Sequence, residues 1–182
     1  MRTLLTSLGA SWLLASGLAG ALELSSTDIE QNTLMDKRHE FQGFGCTGDN
    51  LSPQLSWSDA PEGTRAFALF AHDPDAPTGS GWWHWQVINI PADVTSLPRG
   101  AGDPARSLMP PASVQLNNDF GTTGFGGACT PIGRGEHRYR FTVHALSKPL
   151  ELPDNASAAM VGYLVNAHSL ESSTIEALYR RD

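Results

Sequence analysis

Three stretches of the chain alternate apolar and polar side chains with a period of two, the spacing that puts successive residues on opposite faces of a sheet. Residues 67–73 (FALFAHD) set Phe67, Leu69, Ala71 and Asp73 on one face. Residues 84–90 (HWQVINI) set Trp85, Val87 and Asn89 against His84, Gln86, Ile88 and Ile90. Residues 139–146 (YRFTVHAL) set Tyr139, Phe141, Val143 and Ala145 opposite Arg140, Thr142 and His144. The first two carry apolar residues on both faces, which predicts cover on both sides. Shorter strands are predicted at 22–25, near 55–57, near 114–116 and at 174–179. Residues 156–168 read as a helix capped by Asp154 or Asn155. Its stripe of Met160, Tyr163, Leu164 and Ala167 is expected to pack on the sheet.

The 18 glycines and 12 prolines are scattered between short apolar runs, which predicts many turns and a mainly β fold. No repeat, linker or low-complexity tract divides residues 22–182, so they read as one domain. Two irregular stretches stand out, 91–111 and the glycine-rich 121–135. Such loops either carry function or are surface loops, here with Cys129 inside the second.

The amino terminus reads MRTLLTSLGASWLLASGLAGALE. Arg2 precedes an uncharged, mostly apolar run at 4–18, and Ala19-Gly20-Ala21 suits a signal peptidase. Residues 1–21 therefore read as a signal peptide, and the protein as periplasmic or secreted. A membrane anchor is the competing reading, but Ser11, Ser16 and Gly17 interrupt a run already short for a span. No later segment is long and apolar enough to be a transmembrane segment. The formal charge is −7; residues 1–21 hold one arginine and no acid, which leaves −8 for the rest. An acidic chain without basic clusters argues against nucleic acid and anionic membranes as partners. Cys46 and Cys129 are the only cysteines. In an exported protein they read most simply as a disulfide. Its long loop would be worth about 4 kcal/mol in the chain-entropy picture. Two free thiols or a metal pair are the alternatives, and the lack of ligand-spaced histidines disfavours zinc.

Alternation also places chemistry. Asp73 ends its strand on the side of Phe67 and Leu69, and His137 shares parity with Tyr139 and Phe141. If those faces point inward, a carboxylate and an imidazole stand at the rim of the core. His84 starts its strand on the side of Ile88 and Ile90. Antiparallel neighbours can bring one strand's end beside another's start, so a polar cluster at one end of the sheet is geometrically reasonable. Asp73-Pro74-Asp75 is also an ordinary turn pattern, and Asp75 reads first as a turn residue. His72 and His144 lie opposite the main apolar rows, and His39 and His168 belong to no motif; all four read as structural.

Three segments together carry a family resemblance: DNLSPQLSW (49–57), PEGTRAFALFAHDPDAPTGSGWWHWQVINIP (61–91) and GFGGACTPIGRGEHRYRFTVHAL (124–146). With the C-terminal helix, they resemble the phosphatidylethanolamine-binding proteins, and more narrowly the exported form of the bacterial Raf-kinase-inhibitor-like branch. The resemblance implies a central antiparallel sheet packed on a smaller sheet, with peripheral helices including one near the C-terminus. It implies a small anion-binding pocket at one end of the sheet. Asp73 and Asp75 match the two aspartates of the family's DPD, His84 the pocket histidine, and His137 and Tyr139 the HRY segment. The preceding loop supplies Gly127, Cys129, Thr130 and Pro131. Thr130 stands where the family usually has proline, which is expected to loosen one wall and add a hydroxyl donor.

These residues suit a binding protein for a small phosphorylated or zwitterionic ligand, without cofactor or metal. A protonated His84 or His137 would offset the aspartates, and loop N–H groups at 126–133 would receive an anion. The ligand's ammonium would face Asp73 or the rings of Trp82 or Trp83. Catalysis lacks a nucleophile: Ser80, in Gly79-Ser80-Gly81, is outside a G-x-S-x-G elbow. Asp73, His84 and His137 could also be drawn as a three-ligand metal set of a hydrolase. The third reading is a protein-interaction inhibitor with a vestigial pocket, its partner a kinase, a protease or another extracellular protein. Loop 91–111 would be its surface, and a homodimer is compatible with it.

Overall fold

The computed structural model describes residues 20–153 and 155–182; the expected signal peptide falls largely outside them, as does Asp154. Among the described residues, ten strands form three sheets. In chain order they are β1 (Glu23–Ser25), β2 (Gln42–Gly43), β3 (Cys46–Thr47), β4 (Leu55–Ser58), β5 (Ala66–Asp73), β6 (Trp82–Pro91), β7 (Ser96–Leu97), β8 (Val114–Gln115), β9 (His137–Leu146) and β10 (Ser169–Tyr179). The central antiparallel sheet has the order β10-β9-β5-β6-β8, the smaller one β1-β4-β7, and β2-β3 form a hairpin. No helix among the described residues is long and apolar enough to cross a membrane.

The main core lies between the two larger sheets. Phe67 and Leu69 of β5, Trp85 and Val87 of β6, and Phe141 and Val143 of β9 meet Leu24, Leu55, Trp57 and Leu97. Each such side chain contributes about 1.5–3 kcal/mol by leaving water. A second, smaller core fills the other face. There Ala68, Phe70 and Ile88 pack under the helix α1 (Ala158–His168) through Val161 and Val165. Both faces of β5 are thus covered, as its composition predicts.

Of its predicted stripe the helix packs Leu164, partly buried, on the second core, and turns the rest outward. Met160 and Tyr163 are 45% and 69% exposed, and Ala167 is exposed too; Val161 and Val165 are the buried pair. The apolar residues of α1 surround it, and tertiary contact rather than alternation selects the inner face. Ser157 caps the helix, its Oγ accepting from the Met160 N–H at 3.3 Å.

Strand β6 breaks its own alternation twice. Its pairing with β5 runs Ala71↔Trp85 and then His72↔Trp83, so His84 is the extra residue of a β-bulge. A second irregularity separates Leu69↔Val87 from Phe67↔Ile90, and within it Asn89 has φ 58°. Ile90 therefore joins the main core with Trp85 and Val87, while Ile88 joins the second. The parity read for His84 and Ile90 is corrected by these two slips.

Candidate functional site

The register of β5 against β9 pairs His72 with Arg140, which sets the end of β5 beside the start of β9. Asp73 and His137 meet there: His137 Nδ1 lies 2.8 Å from Asp73 Oδ2, both side chains buried. A carboxylate only accepts, so Nδ1 carries the proton. The other oxygen, Oδ1, accepts the Asp75 N–H at 2.8 Å. Asp75 itself turns away and clasps Arg138, accepting from its backbone N–H at 2.9 Å and from Nε and Nη2 at 2.8 and 2.6 Å. At the start of β6, Gly81 (φ +72°) turns the chain where a Cβ would stand 2.5 Å from the Asp73 carbonyl.

The bulge in β6 aims His84 at the same place. Its ring packs edge-on to Tyr139, centroids 5.1 Å apart. Its Nδ1 donates to the Gly126 carbonyl at 2.7 Å, and the Gly126 N–H returns a bond to the His84 carbonyl at 2.8 Å. Tyr139 is fixed from the opposite side. Thr130 Oγ1 donates to the Tyr179 carbonyl at 3.2 Å, and so receives the Tyr139 hydroxyl proton across 3.0 Å.

These groups line one cavity of about 350 Å³. Asp73, His84, His137 and Tyr139 are joined there by Cys129, Pro131 and Arg181. Phe44, Trp82 and Phe120 make an aromatic wall. Cys46 and Cys129 are bonded, with Cα atoms 5.9 Å apart, and tie the β2-β3 hairpin to the loop beside the cavity. That hairpin presents Phe44 at its tip, 73% exposed and edge-on to Phe120. Arg181 spans the hairpin and the loop, donating from Nη2 to the Gly45 carbonyl at 2.5 Å and from Nη1 to the Thr130 carbonyl at 3.5 Å.

Three of the expected site residues do not line this cavity. Asp75 faces Arg138 and a neighbouring hollow. Thr130 is fully buried, and its hydroxyl serves Tyr179 and Tyr139 instead of opening a wall. Gly127 is a packing glycine: a Cβ would stand 2.3 Å from the His39 carbonyl oxygen. The expected anion nest is largely consumed as well. The N–H groups of Gly126, Gly127, Ala128 and Gly133 go to His84 O, Asn50 Oδ1, His39 O and Arg181 O. As for a metal, no cluster of three or more suitable ligands exists among the described residues. Asp73 and His137 hold each other, and the Gly126 carbonyl holds one nitrogen of His84.

The sequence matches the phosphatidylethanolamine-binding protein family over residues 25–180. The chain belongs to that family. It is 46% identical over 180 residues to the UPF0098 protein YbcL of Escherichia coli, covering 98% of both chains. The UPF0098 protein YbhB of the same organism is 48% identical over 159 residues, covering 87% of this chain and 99% of YbhB. The crystal structure of YbcL, described as a new member of the mammalian PEBP family, superposes with a TM-score of 0.86 over 90% of this chain and all of the YbcL chain. A PEBP homologue of Chlamydia trachomatis, 26% identical, gives a TM-score of 0.74 over 89% of this chain and 99% of its own.

In this member of the family, burial governs the charge of the cavity. Desolvation pushes His84 down to about 4, outweighing the Gly126 carbonyl and the nearby Asp73 charge that favour its protonation. His84 is therefore neutral at pH 7, against the expectation that it supplies positive charge. Burial, with the Asp73 charge second, raises Tyr139 well above an ordinary phenol and keeps it protonated. The fixed cation is Arg181, which sequence reasoning missed. No motif marks it. It arrives because β10 pairs along β9 as far as Tyr179↔His137.

Proposed function

We propose that the protein is an exported, non-enzymatic binding protein for a small phosphate-type or zwitterionic ligand. The observation that carries this reading is a single cavity that joins a cation, Arg181, to an acid–imidazole pair, Asp73–His137, under an aromatic wall. Its volume of about 350 Å³ suits a molecule of the size of phosphoethanolamine. The phosphate would face Arg181 and His137, and the ammonium the rings of Trp82 or Phe120. Binding is favoured over catalysis because candidate nucleophiles are engaged. The cysteines are bonded to each other, the Thr78 hydroxyl donates to the Gly81 carbonyl, and Tyr139 resists deprotonation. The amino-terminal pattern supports export.

A second reading, a protein-interaction inhibitor, draws on Phe44 and Ile132, which are 73% and 65% exposed near the cavity mouth. Calorimetric titration with phosphoethanolamine separates the two. The first reading predicts saturable one-to-one binding that weakens at least about tenfold on His84→Ala, because a buried partner is lost. No binding, or binding indifferent to His84→Ala, would remove it.

A further inference from the structure

Each polar group on the cavity floor has its free side decided by what holds its other side. Gly126 O can only accept, so His84 Nδ1 carries the ring proton and Nε2 is left as a bare lone pair. The Tyr139 proton goes to Thr130, because the proton of Thr130 goes to Tyr179 O. The Tyr139 oxygen therefore also accepts. Asp73 accepts from Asp75 and His137 and is an acceptor throughout. Donors stand elsewhere. Arg181 has N–H groups beyond those given to Gly45 and Thr130.

An oxyanion that fits must meet both sets. A sulfate ester presents only lone pairs and would set one against the lone pair of His84 Nε2. A phosphate monoester in its monoanionic form presents lone pairs and one P–OH donor. We infer that the cavity takes phosphate monoesters as monoanions, with P–OH donating to His84 Nε2 and the remaining oxygens facing Arg181, and that it rejects sulfate esters of the same shape. This rests on the ligand-binding reading above and specifies its substrate class.

The charged and titratable groups around His84 agree with this division. Asp73 and His72 come from β5, His137 and Tyr139 from β9, and Arg181 from beyond β10; the loop adds the backbone of Gly126 and Gly127. None of them converts His84 to a donor near neutrality, since its burial keeps it unprotonated down to about 4. Ligand affinity then follows the proton on the phosphate, whose second ionisation lies near about pH 6.

The test is calorimetry on the purified protein with phosphoethanolamine, ethanolamine O-sulfate and ethanolamine, at about pH 5.5 and about pH 8. The expected result at the lower pH is that the sulfate ester binds at least about tenfold more weakly than the phosphate ester, as an unpaired buried acceptor demands. At the higher pH the phosphate ester loses most of that advantage. Equal binding of the two esters at the lower pH overturns the inference and leaves the ligand-binding reading standing. Ethanolamine binding as tightly as phosphoethanolamine overturns it too, because the ammonium would then be the donor on His84. No binding by any of the three overturns both.

Discussion

Two side-chain pairs tie the end of β5 to the start of β9, and they are built differently. The inner pair, Asp73–His137, is buried and lines the cavity. The outer pair, Asp75–Arg138, is partly exposed, makes three hydrogen bonds and faces away from the cavity. Both aspartates come from one DPD segment, so residue type does not separate them. Position does: Asp73 continues the buried row of its strand, and Asp75 lies beyond the turn. The inner pair faces the cavity, and the outer pair is a clasp.

The largest expected effect comes from breaking the inner pair. Asp73→Ala leaves the His137 Nδ1–H and the Asp75 N–H without their acceptor and is expected to cost about 3 kcal/mol, measured by urea unfolding. A cost near that of a surface substitution would mean that the pair carries little.

Acid should act on the cavity before it acts on the outer clasp. His84 is held at about 4 when folded and returns to its ordinary value, 6.5, when unfolded. The unfolded chain therefore binds the proton first, and stability is fully present above about pH 6.5, falls as pH drops to about 4 and levels off below it. The loss from His84 is up to about 3 kcal/mol. His144, lowered to about 4 by burial, adds in the same direction. Asp75 is held at about 2, first by its hydrogen bonds to the Arg138 guanidinium, so its clasp persists until pH falls below the ordinary carboxylate range. Unfolding free energies flat between about pH 6.5 and about 4 would contradict the neutral, buried His84.

The smallest effect belongs to the clasp. Asp75→Ala is expected to cost about 1 kcal/mol, since solvent screens a partly exposed pair. It should change phosphoethanolamine affinity by less than about threefold. A tenfold loss of binding would return Asp75 to the site.

Much of this could be read in the sequence, for definable reasons. The strands with strong alternation, 67–73, 84–90 and 139–146, lie within β5, β6 and β9, because burial on distinct faces writes a period into the residues. The first five residues of β10, SLESS, carry no such period. Pairing with β9 holds them, and the predicted strand therefore began too late, at 174. Asp73 and His137 could be placed by parity. His84 could not, since nothing in HWQVINI marks where the strand slips against β5. Arg181 was invisible because only the β9-β10 pairing carries it to the cavity. The protonation state of His84 followed from burial, a property of the folded surroundings and not of the motif.

The most direct test of the central claim is a phosphoethanolamine titration of the protein labelled on its histidine rings and followed by NMR. The cavity predicts that His84 and His137 shift together and saturably, while His72 and His144, on the other face of the sheet, stay in place. Shifts confined to His72 and His144, or none at any histidine, would contradict it.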